Sequence, residues 1–286
     1  MQEELENKNV LVWGEERYND ALSKATQGDD AYRSRDFIES ANLYGATLVE
    51  LQSLLSDMDS IFSDSVKIGY DAINAGLSKD ANEAFEFALL IYPEDEDAIK
   101  GLRRSETLDQ VLQLMTDGDD LQQNNQLENS REKYQQVLKL DTDWVEAKQQ
   151  LSAVNRKIND RDFNRLMSSG YKSLQQNNLE AARLSFQKAK RLKPNTSEVL
   201  AALDQTQTGI TNEQINQYLS LAIDYEKQEK WEDALGEYNK ALSLDNNLAQ
   251  AQEGKAYSDS RVKLDNRLNQ IISEPGRLSN KSVFEE

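Results

Sequence analysis

Carboxylates are the side chains best able to do chemistry in this 286-residue chain, which has 51 Asp and Glu, 33 Lys and Arg, and neither His nor Cys. The missing types remove thiol nucleophiles, Ser-His-Asp relays, disulfides and zinc sites of the usual Cys/His kind. The densest candidate is Asp117, Asp119 and Asp120 around Gly118. A calcium loop needs alternating oxygen ligands and a closing Glu. Both are missing, so Gly118 reads as a helix-packing position. Residues 93–97 (PEDED) read as a helix N-terminus, where acids suit the dipole. Acid–base catalysis needs a carboxyl whose apolar surroundings raise its pKa, and none is singled out in that way. There is no phosphate loop, Gly-rich βα turn or nucleophile elbow. The sequence therefore assigns no catalytic residue, no cofactor and no metal ligand, and a non-enzyme is expected.

The net charge of −18 sets up a field that repels nucleic acid and anionic lipid headgroups. The one dense basic run, Lys188, Lys190, Arg191 and Lys193, sits where a helix C-terminus favours cations. The partner expected on charge grounds is a protein or peptide, basic in character.

These residues must be carried on helices. Gly and Pro number only 12 and 3, too few turn signals for a many-stranded fold. A repeat then emerges. A small residue recurs as Gly28, Gly69, Gly118, Gly170 and Ala222. Sixteen residues after each comes an aromatic: Tyr44, Phe85, Tyr134, Phe186 and Tyr238. Between them lies Ser40, Ala81, Ser130, Ala182 or Ala234. Three residues beyond each aromatic comes Thr47, Ala88, Val137, Ala189 or Ala241, and then Ile91, Leu140, Leu192 or Leu244, with Glu50 breaking the first copy. Small residues let two helices approach, the aromatic fills the gap, and i, i+3, i+4 spacing puts the set on one face.

The pattern resembles the tetratricopeptide repeat. Gly170, Leu179, Ala182, Phe186, Ala189 and Pro194 match it best, followed by Ala222, Tyr225, Trp231, Ala234, Tyr238 and Ala241, with Asn246 where proline is usual. The repeat cores lie at 62–95, 111–144, 163–196 and 215–248, with a degenerate copy at 21–54 whose second helix does not stop and a truncated copy at 267–286. The resemblance implies an all-α, right-handed α-α superhelix, a single solenoid over 1–286 of about five helix pairs. The period departs from the usual 34 residues. The small-residue series steps by 41, 49, 52 and 52, and the added residues have helical pattern, so one helix of each pair is lengthened. A 28-residue helix would span about 42 Å. Polar turns at 122–126 and 175–178 separate long helix from short, and a bend is expected near Gly209. Residues 2–26 read as one more long helix with Leu5, Val10, Trp13, Tyr18 and Leu22 on its apolar side; residues 10–13 (VLVW) are a weaker strand candidate. The closing LSNKSVFEE resembles the start of another short helix, either a repeat cut short in a piece of a longer protein, the favoured reading, or a worn cap.

In repeats of this type the concave groove is lined by the first helix of each pair. The corresponding residues are Asp29, Tyr32, Arg33, Tyr70, Asn74, Asp119, Gln123, Tyr171 and Gln175, a set suited to hydrogen bonding and flat contact with a peptide. The Lys/Asn clamp by which some relatives hold a C-terminal carboxylate is missing. The expected function is a protein–protein interaction scaffold, monomeric rather than oligomeric. The alternative is a spacer or stalk of a larger membrane-anchored envelope protein whose activity lies in another domain. No apolar run approaches the ~20 residues that cross a bilayer, so no membrane insertion by this segment is expected. The lack of Cys leans toward a bacterial envelope or periplasmic location over the cytoplasm.

Overall fold

The computed structural model describes residues 1–273 and Gly276. Among them are twelve α-helices and no strand. The truncated copy expected at the end of the chain falls mainly outside the described residues. The chain divides into two compact units, Met1–Ile158 and Asn159–Glu286.

In the first unit α1 (Gln2–Asn7), α2 (Val10–Trp13) and α3 (Glu15–Arg33) lead into α4 (Phe37–Ala75), α5 (Ser78–Ile91), α6 (Glu96–Gln123) and α7 (Leu127–Leu140), with α8 (Val145–Gln175) crossing the division. The second unit continues with α9 (Leu179–Leu192), α10 (Ser197–Lys227), α11 (Trp231–Leu244) and α12 (Ala249–Ser273). Successive helices pack on one another within each unit. The lengthened helices α6, α8 and α10 have 28, 31 and 31 residues, and the short helices α5, α7, α9 and α11 have 14 each. This is the expected all-α, tetratricopeptide-like repeat with one helix of each pair lengthened.

A single backbone device makes the turn between the two helices of each pair. The turn residue adopts the left-handed region at Arg35, Gly76, Asn125, Asn177 and Glu229, with φ between 54° and 76°. The next amide reaches back five residues, as in Asp36 N to Ala31 O and Lys230 N to Tyr225 O. That bond satisfies a carbonyl the helix would otherwise leave unpaired. Asp36 and Asn178 then cap the following helices by accepting from the Glu39 and Ala181 amides, and Asp95 caps α6 after the short helix α5 by accepting from Ala98.

Four expectations meet a different or sharper outcome. Residues 2–26 are not one helix: Asn9 turns left-handed (φ 55°) and Gly14 separates α2 from α3. The break is held at long range, because the Asn9 side-chain amide donates to the Leu90 carbonyl (2.7 Å). Residues 10–13 are helical, not a strand. The second helix of the degenerate copy indeed does not stop, and α4 runs for 39 residues through the first helix of the next copy. Finally, α10 remains helical through Gly209, against which the Leu179 side chain packs.

Candidate functional site

The core of each helix pair is built around its aromatic ring. Phe85, Tyr134, Phe186 and Tyr238 are essentially buried. A Cβ placed on Gly69 or Gly118 would come 2.6 Å from the ring of Phe85 or Tyr134, and one on Gly170 would press still closer on Phe186. Glycine is therefore required there by contact, since each lies within a regular helix.

The rings come in two chemical types, and the residue following the small one changes with them. Where the ring is Tyr44 or Tyr134, that residue is Asp29 or Asp119, and its carboxylate accepts the phenol hydroxyl. Where the ring is Phe85 or Phe186, it is Tyr70 or Tyr171, packed edge-on with ring centres 5.0 and 5.1 Å apart. The fifth pair has Ile223 at this position, and the charged neighbour of Tyr238 is Glu226. Burial, then the Asp119 carboxylate, pushes Tyr134 up to about 12, and burial, then Glu226, does the same for Tyr238. The phenol of Tyr70 donates to Asp97 (2.7 Å) and is raised by burial first and that acceptor second.

This chemistry places the residues read as groove-lining. Asp29, Tyr70, Asp119 and Tyr171 each serve a core ring in their own pair. Tyr32 is 60% exposed and stands edge-on to Phe37 (5.4 Å). Arg33 pairs with Asp30 (3.0 Å). Asn74, Gln123 and Gln175 are exposed. The Asp117–Asp120 cluster is also spoken for: Asp117 takes Lys133 (2.8 Å) and Gln113, which hold its carboxyl below the usual range. Among the described residues no three acidic side chains gather as a metal site, and no helix is long and apolar enough to cross a membrane.

The structure adds a feature that the sequence reading missed. In the second unit an open cleft of about 450 Å³ lies between the start of α9 and the middle of α10. Asn177, Leu179 and Glu180 line one side, and Ile210, Gln214 and Gln217 the other. A second cleft of about 340 Å³ lies between the start of α11 and α12. Its Glu229, Trp231 and Glu232 face Val262, Asn266 and Asn269. Each of these six lies 52 residues beyond its counterpart in the first cleft. Both have apolar side chains from each helix, two primary amides one turn apart and carboxylates beside them, with Lys230 added in the second cleft where the first has Asn178. The signal was present as the 52-residue period, but which parts of α10 and α12 meet the short helices required the fold. A different cleft of about 380 Å³, in the first unit, is lined by Lys8, Tyr92 and residues 93–95. There Lys8 sits 4.3 Å from the Tyr92 ring centre, and the Tyr92 hydroxyl donates to Asp59.

No family model and no curated protein matches the chain. Among solved structures it is similar to the crystal structure of the P58(IPK) TPR domain, with 17% sequence identity, 87% of this chain and 79% of that chain covered, and a TM-score of 0.18. The tetratricopeptide-like architecture accordingly rests on the chain's own features: consecutively packed helix pairs, the small–aromatic register and the shared left-handed turn.

Proposed function

We propose that this chain is a non-catalytic scaffold that binds a protein or peptide, preferentially a basic one. The observation that carries the reading is the cleft that recurs 52 residues on with its chemistry kept. Rows of Gln and Asn amides both donate and accept, which suits an extended peptide backbone, and Leu179 with Ile210 or Trp231 with Val262 offers apolar contact for side chains. The acidic rim and the net charge of −18 favour Lys- and Arg-bearing partners and speed their encounter. Of the first-helix residues, Tyr32, Asn74, Gln123 and Gln175 offer exposed contact surface, while Asp29, Tyr70, Asp119 and Tyr171 act by fixing the rings beneath it. Arg33 would set register against an acidic side chain.

The test is photo-cross-linking in cells, with a photoreactive residue at Gln214 or Asn266 and at the exposed control Lys139. A discrete protein adduct is expected at the two cleft positions and none at the control. It should be lost when Gln217 or Asn269 in the same cleft is changed to Ala. Adducts that form equally at all three positions, or survive those changes, would remove the clefts from the binding surface.

A further inference from the structure

The first helix pair carries a helix seat that the other pairs fill and this one leaves open. Phe85 is gripped on both sides: Gly69 of α4 meets one side of its ring and Gly101 of α6, the following long helix, meets the other so closely that neither tolerates a Cβ. Tyr238 is likewise backed by Gly254 of α12, and Phe186 shares a core with Ala202 of α10. Tyr44 has Gly28 of α3 against it, and no second glycine among the described residues meets its ring. Because α4 runs straight on to Ala75, the turn that brings a following helix back over the ring in the other pairs is missing here, and among the described residues the ring stays open. Tyr44 is 40% exposed, whereas Phe85, Tyr134, Phe186 and Tyr238 are at 2% or less.

The residues beside the open ring have changed character accordingly. Phe37, Ile38, Ala41, Gly45, Leu48 and Val49 fall with Tyr44 on one arc of α4 at i, i+3, i+4 spacing, and all are exposed. The positions equivalent to Ile38, Ala41 and Gly45 are Lys79, Asn82 and Glu86 in α5, Glu128, Arg131 and Gln135 in α7, and Glu180, Arg183 and Gln187 in α9. The α4 arc thus loses its charge in the one pair where the seat is open. A contiguous exposed apolar face on an otherwise highly charged chain marks an interaction surface. It borders the α3–α4 contact, where the Tyr44 ring lies on Gly28 of α3.

We infer that this seat takes an amphipathic helix from a partner protein, with a Gly or Ala opposite Tyr44 and Lys or Arg on its outer side. The filled seats define the shape of the occupant. In each of α6 and α12 the glycine at the ring is flanked by a lysine, Lys100 before Gly101 and Lys255 after Gly254. Charge defines its outer side, because the arc itself is uncharged while the chain carries −18, which attracts a basic flank. The binding mode is helix-in-groove, and the seat is built from first-unit residues while the α9–α12 clefts are built from second-unit residues, so each can fail alone.

The probe is a capped, fluorescein-labelled peptide with the sequence of residues 95–112 of this chain, the first half of α6, titrated into the intact protein and read by anisotropy. A second version has Glu96, Asp97, Glu106 and Asp109 changed to Gln, which makes it basic. Saturable one-to-one binding is expected, tighter for the basic version and about tenfold weaker for Ala41→Glu, which sets a carboxylate into an apolar contact. Gln187→Glu, at the position equivalent to Gly45 on α9, should leave binding unchanged, and the helical melt of each variant checks its fold. A peptide with Gly101→Val should also bind about tenfold more weakly, since a branched side chain cannot approach the ring. The inference is overturned if neither peptide binds, if Ala41→Glu has no effect, or if the acidic version binds tighter. It is also overturned if sedimentation shows a dimer of this chain that Ala41→Glu dissociates, which would assign the seat to a second copy.

Discussion

The Tyr134 hydroxyl donates a 2.6 Å hydrogen bond to the carboxylate of Asp119, the residue next to the glycine on which the Tyr134 ring lies. In the pairs built on Phe85 and Phe186 the same position holds Tyr70 and Tyr171. The two positions therefore act as one unit with two solutions, a phenol with its acceptor or an edge-on aromatic pair. Asp119→Ala strips the acceptor from a buried hydroxyl and should cost about 1–3 kcal/mol. The double change Asp119→Tyr with Tyr134→Phe imports the second solution and should recover most of that loss. Urea denaturation of the two singles and the double gives the coupling, and additive losses would mean that the positions are independent.

The same phenols set an alkaline limit. Tyr18, Tyr92, Tyr134 and Tyr238 are each pushed up to about 12, against about 10 in an unfolded chain. The raised folded value means that the neutral phenol is bound more strongly in the fold. Its contribution is complete below pH 10 and is lost as pH rises from 10 to 12. Melts recorded across that window should fall steeply, with the last of the tyrosinate absorbance appearing together with loss of helix. Ionisation of all 11 tyrosines near pH 10 in a chain that is still folded would contradict the burial of Tyr18, Tyr134 and Tyr238. On the acid side Asp117, Asp143 and Glu6 are held below their usual range, so what they contribute is lost as pH falls below about 4.

The glycines separate into two classes by what surrounds them. An added methyl at Gly101 or Gly254 would press into Phe85 or Tyr238, and Gly101→Ala or Gly254→Ala should cost about 1–3 kcal/mol by overpacking. Nothing lies within 4 Å of a Cβ at Gly236, inside α11. Gly236→Ala should instead stabilise by about 0.5–1 kcal/mol, through helix propensity alone. Opposite signs for two Gly→Ala changes on successive helices, Gly236 on α11 and Gly254 on α12, are readily measured by thermal denaturation.

The left-handed turns offer a third handle on stability. Arg35 (φ 62°) and Glu229 (φ 59°) take a conformation that Gly76 takes without strain. A side chain there costs roughly 1–2 kcal/mol, partly offset by the freedom that glycine adds to the unfolded chain. Glu229→Gly should raise the melting temperature slightly, and Glu229→Val, with a branched Cβ, should lower it.

The helix-pair register was legible in the sequence because small–aromatic contacts are local and repeat at a fixed distance. Gly28 to Tyr44 and Gly170 to Phe186 declare themselves by a shared spacing of sixteen. The alternation of Asp119 with Tyr171 was also visible, but its meaning needed the ring partners: read alone, both residues look like groove polarity. The N-terminal break was not legible, because the left-handed Asn9 is held by the Leu90 carbonyl, 81 residues away. Nor were the clefts, whose amides on α10 and α12 lie more than thirty residues from the turn residues they face.

The uninterrupted 39 residues of α4 have a consequence for how this chain can change. A turn absorbs an inserted residue by bulging, whereas a helix transmits it as rotation. One residue added midway between Gly45 and Gly69 would swing α3 and the Tyr44 arc about 100° around the α4 axis relative to α5, and carry them 1.5 Å along it. Length changes there are thus quantised, with three-, four- or seven-residue steps coming nearest to restoring the original aspect. The other pairs, joined by turns, are free of that constraint, so α4 works as a phase-locked shaft that fixes the direction in which the Tyr44 arc points.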